Sequence, residues 1–430
     1  MLNRALKFLT SLRLTVVLLC LALLLVFGGT LAQVQLGLYQ VQSEFFRSFF
    51  IYWHPAGSHF RIPVYPGGWL LGALLFVNLI AAHVKRFELS WKKSGIFLTH
   101  LGLIMLLAGQ FMTERFQTES LMRIKVGGTK NYSEDSRHNE LAVIDTTSPD
   151  KDEVTAIPET LLTPGAEIKP ASLPFTIRVK EFLPNSTPTG PMVTNTPVKL
   201  NSSRGLGARL PFAPARLATS MDTENVPAAL VEVTSDKGPV GDWIVTTWLT
   251  KYPELNILKG EVGQMFGDEL EQPQSFEFNG HTYEMALRPI RYYKPYTVTL
   301  KQFTHEVYAG TDVPKNFASL VHLNDPTKGD DRDVLIHMNT PLRHAGDTLF
   351  QSGFDENDTV TILQVVHNPA SATPYVACSV VAIGLLAQFG MHLFGFARKR
   401  LAPAPAVPRP AVKPVKTAKL GKAATAVERA

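Results

Sequence analysis

Four long apolar runs alternate with polar segments along the chain. They fall in 14–32, 68–84, 95–112 and 374–396. Each is close to the length of about 20 residues with which a helix crosses a bilayer. The pattern therefore predicts an integral membrane protein with four transmembrane helices.

The long segment 113–373, between the third and fourth runs, has a different pattern. Apolar and polar residues alternate there in short stretches separated by Pro, Gly and Asn, which is typical of β-strands. Phe276–Phe278, Asn279-Gly280 and Thr282–Leu287 together predict a hairpin with a type I′ turn. We also expect a strand over Trp243–Leu249 and a long irregular insertion over Thr187–Asn225. The segment is thus predicted to form a large β-rich domain inserted between spans three and four.

Residues 33–67, after the first span, are rich in Phe, Tyr and Trp mixed with polar residues. Aromatic side chains are enriched where a protein meets the lipid headgroups. We therefore expect a partly helical interfacial segment there rather than a buried strand. Its two histidines, His54 and His59, are interpreted either as solvated loop residues or as outer ligands or proton relays.

The basic flanks of the four runs all predict the same orientation. Lys and Arg residues occur in 1–13, in the turn 85–94 between the second and third runs, and directly after the fourth run. By the positive-inside rule both termini are cytoplasmic and 113–373 is exported, which in a bacterium means an inner-membrane protein with a periplasmic domain.

The net charge of +5 belongs to the C-terminal tail, 397–430. After Ala397 there are 9 Lys/Arg and 1 Asp/Glu, which leaves 33 basic and 36 acidic residues in the rest of the chain. We interpret the Ala/Pro/Lys-rich tail as a disordered, lipid-facing topology signal, with a specific partner site as the alternative. The charge therefore gives no reason to expect nucleic-acid binding.

The familiar catalytic and metal-binding patterns are absent from the sequence. There is no GxSxG, HExxH or P-loop motif, and the two cysteines, Cys20 and Cys378, lie in the first and last apolar runs, so a CxxC redox role is excluded. The histidines of the exported segment have no metal-ligand spacing and are expected to be ordinary surface or core residues. They are His138, His281, His305, His322, His337, His344 and His367.

Two histidines within the apolar runs are the candidate functional residues. His83 lies about three residues before the basic turn and His100 about seven residues beyond it, both in the predicted inner leaflet. A histidine in lipid is costly, so a function is expected, and neutral imidazole is a common axial ligand of haem iron. Gly102 and Gly109 would allow a neighbouring helix or a flat cofactor to approach closely. The alternative is a structural histidine bonded to a helix carbonyl or to Asn78.

Several short motifs, taken in order, resemble the ResB (CcsB) family of System II cytochrome c biogenesis proteins. The resemblance covers the chain to about Phe396. The motifs are Gly29-Thr30 to Gln33, Asn78-Leu79-Ile80, His100-Leu101-Gly102, Gly310–Phe317, Asn339–Leu342, Phe350–Phe354 and Asn368-Pro369.

The resemblance implies a cytochrome c biogenesis function. Such a protein works with a CcsA/ResC-type membrane subunit to move haem b across the membrane and attach it to CxxCH cysteines of apocytochrome c. It implies that His100, or as second choice His83, helps to ligate the haem iron, and it admits thiol-reducing proteins as further partners. Because the tryptophan-rich motif of the partner is absent here, the chain is expected to be a subunit of a haem lyase complex that is inactive alone.

Two other functions are compatible with the sequence. The first is a non-catalytic scaffold that stabilises the CcsA-type partner and docks apocytochrome without binding haem. The second, a transporter of another solute, is disfavoured because four spans lack the paired repeats expected of a transporter.

Overall fold

The computed structural model of the chain describes residues 7–53, 60–85, 90–189, 200–219, 223–251, 274–311, 313–355 and 358–401. Within these residues, four helices are long and apolar enough to cross a bilayer. They are α1 (Leu12–Leu36), α2 (Gly68–Lys85), α3 (Ser94–Phe116) and α4 (Thr373–Leu401). All four extend past the apolar runs, because flanking polar residues continue the helical hydrogen bonds beyond the apolar part.

The helices pack in two pairs. Leu18 and Leu25 of α1 bury their side chains against Leu71 of α2. In α3, a Cβ on Gly102 would lie 2.5 Å from Val381 Cγ2 and one on Gly109 would lie 2.5 Å from Thr373 Cγ2. The glycines therefore let α3 and α4 lie in close contact along their length, as small residues do at helix interfaces in membranes.

The aromatic segment after α1 is part helix and part hairpin. Helical turns at Leu38–Val41 and Gln42–Phe46 are followed by strands β1 (Phe50–Trp53) and β2 (Ile62–Pro66), which pair and are largely exposed. The segment is thus partly helical, as expected, and its strands are not buried; the exposed hairpin was not predicted. The residues of the hairpin loop, including His54 and His59, lie outside the described residues.

The segment between α3 and α4 forms a β-rich domain, here called the β-domain (residues 118–367). Its strands are β3 (Thr118–Lys125), β4 (Thr129–Asp145), β5 (Glu153–Pro158), β6 (Glu167–Ile168), β7 (Thr176–Leu183), β8 (Ser186–Pro188), β9 (Phe212–Pro214), β10 (Ala228–Ser235), β11 (Gly238–Thr246), β12 (Gln274–Phe278), β13 (His281–Val307), β14 (Pro314–Asp325), β15 (Asp330–His337), β16 (Leu342–His344), β17 (Asp347–Phe354) and β18 (Val360–His367).

One large sheet dominates the β-domain. Its strand order is β15-β14-β13-β4-β3-β18-β17-β16, with β5 and β12 paired to β4 and β13. The long strand β13 takes part in two cores. Its first half packs with the sheet β11-β10-β7-β6 around Phe175 and Trp243, and its second half packs with β3, β14 and β18 around Met122 and Tyr296.

The predicted hairpin at Asn279-Gly280 is present, with β12 paired to β13 and both turn residues at positive φ. The predicted strand over Trp243–Leu249 is wrong at its end. β11 stops at Thr246, and a short helix begins at Trp248. The Trp248 indole nitrogen donates to the Ser186 carbonyl oxygen at 3.1 Å, so the side chain is held on the neighbouring segment.

The predicted insertion Thr187–Asn225 is partly ordered rather than wholly irregular. Strands β8 and β9 pair within it, and a helical turn covers Leu206–Ala208. Leu206, Leu210 and Phe212 bury apolar side chains in a third core cluster, which explains the order. Residues 190–199 and 220–222 of this insertion lie outside the described part of the chain.

The β-domain joins the helices through adjacent strands. β3 follows α3 directly and β18 precedes α4, and Thr118 of β3 pairs with His367 of β18. Thr113 of α3 and Asn368 are joined by hydrogen bonds of 3.2 and 3.4 Å. The domain therefore sits directly on the ends of the packed helices α3 and α4.

A second connection links the β-domain to the aromatic segment. The Arg137 guanidinium of β4 stacks 3.9 Å from the centre of the Tyr39 ring. Arg47, just after the helical turns, forms an ion pair of 2.6 Å with Glu114 near the end of α3. The aromatic segment is thus fixed to both the β-domain and the helices.

Candidate functional site

The structure brings His83 and His100 together. His83 lies in the last turn of α2 and His100 near the start of α3, and the reversal between these helices places their rings on facing surfaces. The ring centroids are 6.0 Å apart and the rings are tilted by 30°. Two imidazoles from different helices therefore lie next to each other and form one candidate site.

The hydrogen bond of His100 determines which of its nitrogens can act as a ligand. Nδ1 lies 2.8 Å from the Ile96 carbonyl oxygen one turn earlier. A carbonyl can only accept, so Nδ1 carries the hydrogen and Nε2 has the free lone pair. The sequence also allowed a purely structural histidine bonded to a helix carbonyl, and His100 does make such a bond. It is also the arrangement that fixes the tautomer of an imidazole ligand.

The ring of His83 has an aromatic neighbour. It stacks on Phe97 with a centroid distance of 5.0 Å and an angle of 28°. Phe97 and His100 lie three positions apart on α3, so they occupy one face of that helix. The site thus combines two imidazoles with an apolar ring.

Asn78, the other suggested partner of these histidines, is engaged elsewhere. It is buried, its Nδ2 donates to the Leu9 carbonyl oxygen at 2.6 Å, and its Oδ1 accepts from the Thr15 hydroxyl at 2.7 Å. Its role is to hold the start of α1 against α2.

The glycines of α3 face a different element from the histidines. Gly102 is in contact with Val381 and Ala377 of α4, so the neighbouring helix occupies the space that the sequence left open to a helix or a cofactor. Since successive residues are about 100° apart on a helix, His100 lies about 200° from Gly102. A ligand of His100 would therefore lie away from α4.

A third helical histidine was not singled out in the sequence. His392 lies on α4 with its Nε2 2.8 Å from the Gln388 amide nitrogen one turn earlier, and it is exposed. The sequence signal that could have identified it is its position in the fourth apolar run, close to the basic residues that end the run.

Most histidines of the β-domain have carboxylate partners. In the described residues they form the pairs His138–Asp135, His281–Asp145, His305–Asp358, His322–Asp333, His344–Asp325 and His367–Asp347. Within the same residues, no group of three or more His, Cys, Asp or Glu side chains is arranged to hold a metal ion.

Two of these pairs, at His344 of β16 and Asp347 of β17, belong to larger groups of polar side chains. His344 is buried, with Nε2 2.7 Å from Asp325 and Nδ1 3.3 Å from Asp330. A hydrogen bond from the Thr327 hydroxyl, followed by one from His344, lowers the pKa of the Asp325 carboxyl to about 2. Asp325 is therefore a permanent anion at neutral pH.

The second group is centred on Asp347, which is buried. Its Oδ2 accepts from the Tyr296 hydroxyl at 2.8 Å and from Lys294 Nζ at 3.1 Å, and its Oδ1 lies 2.9 Å from His367 Nδ1. Burial, and then the Asp347 charge, raise the pKa of the Tyr296 hydroxyl. No sequence spacing predicts this cluster, because its members come from β13, β17 and β18.

A separate cluster surrounds Asp135 at the bend of β4. Burial alone would raise the pKa of this carboxyl, but hydrogen bonds from the His138 ring and from the Arg137 and His138 backbone outweigh burial and lower the pKa to about 2. Burial and a hydrogen bond to Asp135 raise the pKa of Tyr292 to about 12.

Comparison with known proteins identifies part of the β-domain. Residues 268–362 match the model of the ResB-like family. Over these residues the chain is similar to the ResB-like family. The matched region contains the buried cluster of His344 and Asp347, whereas His83 and His100 lie outside it.

One curated relative extends the comparison. The chain is 26% identical to Protein NrfI of Wolinella succinogenes over 178 residues, which are 40% of this chain and 19% of that protein. The chain thus spans about a fifth of the length of this relative.

Proposed function

We propose that this ResB-like chain is a membrane subunit of a cytochrome c maturation complex and that it binds haem, as cargo, at His83 and His100. The ResB-like region supports the general function. The observation that carries the haem site is the 6.0 Å separation of two imidazoles on facing helices, of which one has its Nδ1 fixed by a carbonyl.

The membrane orientation follows from the charges at the helix ends. Arg13 precedes the apolar part of α1, Lys85 and Lys93 lie at the turn from α2 to α3, and Arg398 to Arg400 end α4. All of these ends are on one side, so we assign that side to the cytoplasm of a bacterial inner membrane and the β-domain to the exported side. The histidine pair then lies in the cytoplasmic leaflet, where newly made haem is available.

The donor set fits haem better than a free metal ion. A haem iron needs only one or two axial ligands from protein, and an imidazole is a standard one. His100 would bind through Nε2 while the Ile96 carbonyl holds Nδ1–H, and Phe97 would offer an apolar surface. The chain's own contribution is to bind and orient the cargo. A CcsA/ResC-type partner, apocytochrome c and thiol reductants complete the proposed assembly.

The absorption spectrum of the detergent-purified full chain tests this function. Wild type should carry a histidine-ligated haem whose spectrum His100→Ala and His83→Ala shift or remove, and free imidazole should restore it. His392→Ala is the matched control, because His392 is a helical histidine outside the site. Spectra that respond equally to all three changes, or to none, would contradict the haem site.

A scaffold function is the second candidate. It is favoured by the position of the ResB-like match, which lies in the β-domain and includes neither helical histidine. A scaffold predicts that His100→Ala leaves the spectrum and cytochrome c maturation unchanged, while disruption of the β-domain lowers the abundance of the partner subunit.

A further inference from the structure

We infer that the hairpin of β1 and β2 is a lipid-binding surface, inserted into the membrane leaflet next to the β-domain. The hairpin lies on that side because Arg47, three residues before β1, pairs with Glu114 near the end of α3. Its partner is phospholipid, at the boundary between acyl chains and headgroups. This role rests on the proposed membrane location of the chain and is independent of haem binding.

The side chains of the hairpin are apolar or aromatic. The two strands read Phe-Ile-Tyr-Trp and Ile-Pro-Val-Tyr-Pro and contain no charged residue. Phe50, Tyr52 and Val64 are 41%, 45% and 62% exposed. An exposed apolar patch on a folded protein marks a surface that binds a membrane or a partner. The hairpin is therefore not built to face water alone.

One face of the hairpin packs on the helices and the other faces away from them. Ile51 and Tyr65 are directly paired and contact the core between α1 and α2. Side chains alternate along a strand, so Phe50 and Tyr52, on either side of Ile51, lie on the opposite face. Their ring centroids are 6.5 Å apart, as expected for neighbours on one face. The face that carries them is the lipid surface.

The depth of the hairpin follows from the contacts of the aromatic segment with α1. The Tyr65 hydroxyl donates to the Leu21 carbonyl oxygen at 2.9 Å, and Leu21 lies about 14 Å from Leu12, the first residue of α1. The Phe46 ring lies 3.0 Å from the position of a Cβ on Gly29, which is about 26 Å from Leu12. The apolar layer of a bilayer is about 30 Å thick. These contacts therefore lie within the depth of that layer.

The start of α2 indicates the same depth. α2 has 18 residues and α1 has 25, so α2 is about 10 Å shorter. Lys85, at the end of α2, is bonded to Thr10 at 3.1 Å, so the two helices are level on the basic side and differ on the other. Gly67, directly before α2, lies against the Ser48 carbonyl oxygen. The aromatic segment thus occupies the space that the shorter helix leaves beside α1.

The backbone limits how deep the hairpin can lie. A two-stranded sheet has unpaired N–H and C=O groups along its edges, and such edges do not occur in lipid-exposed hydrocarbon. Pro63 and Pro66 lack the N–H group and so reduce the number of unpaired donors. Trp53 and Trp69 are exposed, and tryptophan is enriched at the headgroup level. The hairpin therefore suits the acyl–headgroup boundary.

The test measures the depth of a fluorescent label in phospholipid vesicles. The full chain, with Cys20→Ala and Cys378→Ala, carries bimane on Val64→Cys. The vesicles contain lipids with a nitroxide on the headgroup, high on the acyl chain or at the end of the chain. Because an inserted surface reaches about 5–10 Å into the boundary, the nitroxide high on the chain should quench about twofold more than either other nitroxide. Quenching by the headgroup nitroxide alone would overturn the inserted position.

Two further labels separate this result from the membrane location itself. Leu23→Cys, 70% exposed near the middle of α1, should be quenched most by the nitroxide at the chain end. If no lipid nitroxide quenches it, the proposed membrane location fails, whatever the result at the hairpin. Lys237→Cys, on an exposed turn of the β-domain, should be quenched by aqueous iodide only.

The other possible surroundings of the hairpin give different results. Val64→Cys that responds like Lys237→Cys would mean that the hairpin faces water. A label shielded from both iodide and every lipid nitroxide would mean that protein, such as a second copy of the chain, covers the hairpin. Either result overturns the lipid surface.

A second labelled position and a charge substitution guard against local disturbance. Tyr52→Cys should give the same depth profile as Val64→Cys, with thermal unfolding of the labelled chains unchanged. Val64→Asp places a charge in the lipid boundary and should lower the unfolding temperature in vesicles. Val154→Asp is the matched control, because Val154 is a 44% exposed valine of β5 in the β-domain. Equal shifts at the two valines would contradict the inference.

Discussion

The ring of His138 and the carboxylate of Asp135 are joined by a contact of 3.1 Å between Nδ1 and Oδ1. The same carboxylate accepts a hydrogen bond from the Tyr292 hydroxyl at 2.9 Å. This cluster lies next to Arg137, which stacks on Tyr39, so it supports the contact between the β-domain and the aromatic segment.

The Asp135 cluster predicts a loss of stability in acid. Because the pKa of Asp135 is about 2 in the folded chain against an ordinary value of 3.8, its contribution is complete above about pH 5 and is lost as the pH falls through 3.8 towards 2. From pH 6 to pH 3 the wild type should lose about 1 kcal/mol more unfolding free energy than Asp135→Asn. Chemical denaturation of the full chain at each pH measures the difference.

His138, the other member of the pair, affects the free energy of unfolding at higher pH. The hydrogen bond that the His138 ring donates to Asp135 raises the pKa of His138 above its ordinary 6.5. This contribution is complete below pH 6.5 and is lost as the pH rises through the raised pKa. His138→Gln should remove the alkaline change and should also reduce the acid change, because the His138 ring is the largest of the contributions that lower the pKa of Asp135. Identical pH profiles for the wild type and both variants would rule out the cluster as the cause.

Arg288 and Glu140 form a buried ion pair in the β-domain. Arg288 Nε lies 3.0 Å from Glu140 Oε1, and the side chains are 5% and 10% exposed. Arg288→Met leaves a buried carboxylate unpaired and should cost about 3–5 kcal/mol. The double change Arg288→Met, Glu140→Gln should recover much of this loss. Urea unfolding of the full chain gives both values.

An exposed ion pair is the control for this measurement. Lys151 and Glu153 are 3.2 Å apart but 70% and 72% exposed. Lys151→Met should therefore change the free energy of unfolding by less than about 1 kcal/mol. A cost at Arg288 as small as that at Lys151 would mean that water reaches the Arg288–Glu140 pair.

The contact between α3 and α4 predicts opposite effects for two glycine substitutions. In Gly102→Ala, the new Cβ would lie 2.5 Å from Val381 Cγ2 and 2.8 Å from the Ala377 carbonyl oxygen. The helices must move apart, at a cost of about 1–3 kcal/mol. In Gly72→Ala of α2, no atom lies within 4 Å of the new Cβ, so the change should be neutral or stabilise by up to about 1 kcal/mol. Thermal unfolding in detergent compares them, and equal effects would contradict the packing.

The proposed orientation can be tested with single cysteines, because the chain has only Cys20 and Cys378. In a Cys20→Ala, Cys378→Ala background, Lys237→Cys places a thiol on an exposed turn of the β-domain. A membrane-impermeant maleimide should label it in intact spheroplasts. Lys399→Cys, at the end of α4, should react only after permeabilisation. The reverse labelling pattern would show that the chain has the opposite orientation in the membrane.

Local patterns predicted the helices and the Asn279-Gly280 hairpin well, because hydropathy and turn chemistry act over a few residues. Strand β13 was harder. It runs for 27 residues through Pro289 and Pro295, which ordinarily end strands. Its pairing with β4 is irregular between Pro289 and Arg291 and between Tyr293 and Val298, so the prolines lie at interruptions of the ladder.

The polar clusters and the histidine pair also differ in how far the sequence could predict them. His83 and His100 could be chosen from the sequence because each interrupts an apolar run, and their distances from the intervening turn placed both in the same leaflet. The pair of Asp347 and His367 depends on which strands become neighbours. Nothing within 20 residues of sequence distinguishes Asp347 from other acidic turn residues, since its partners Tyr296 and Lys294 come from another strand.

The pairing of β3 with β18 constrains the order in which the protein can be made. Ser120 and the Val365 carbonyl, 245 positions apart, are in hydrogen-bond contact. A ribosome adding about 5–20 residues per second needs on the order of 10–50 s to cover that interval. During this time β3 has no partner on one edge and the glycine surface of α3 has no α4. During synthesis, the unpaired edge of β3 and the uncovered glycine surface of α3 must therefore be kept from other contacts. Synthesis of β18 and α4 completes the sheet and the helix pair together.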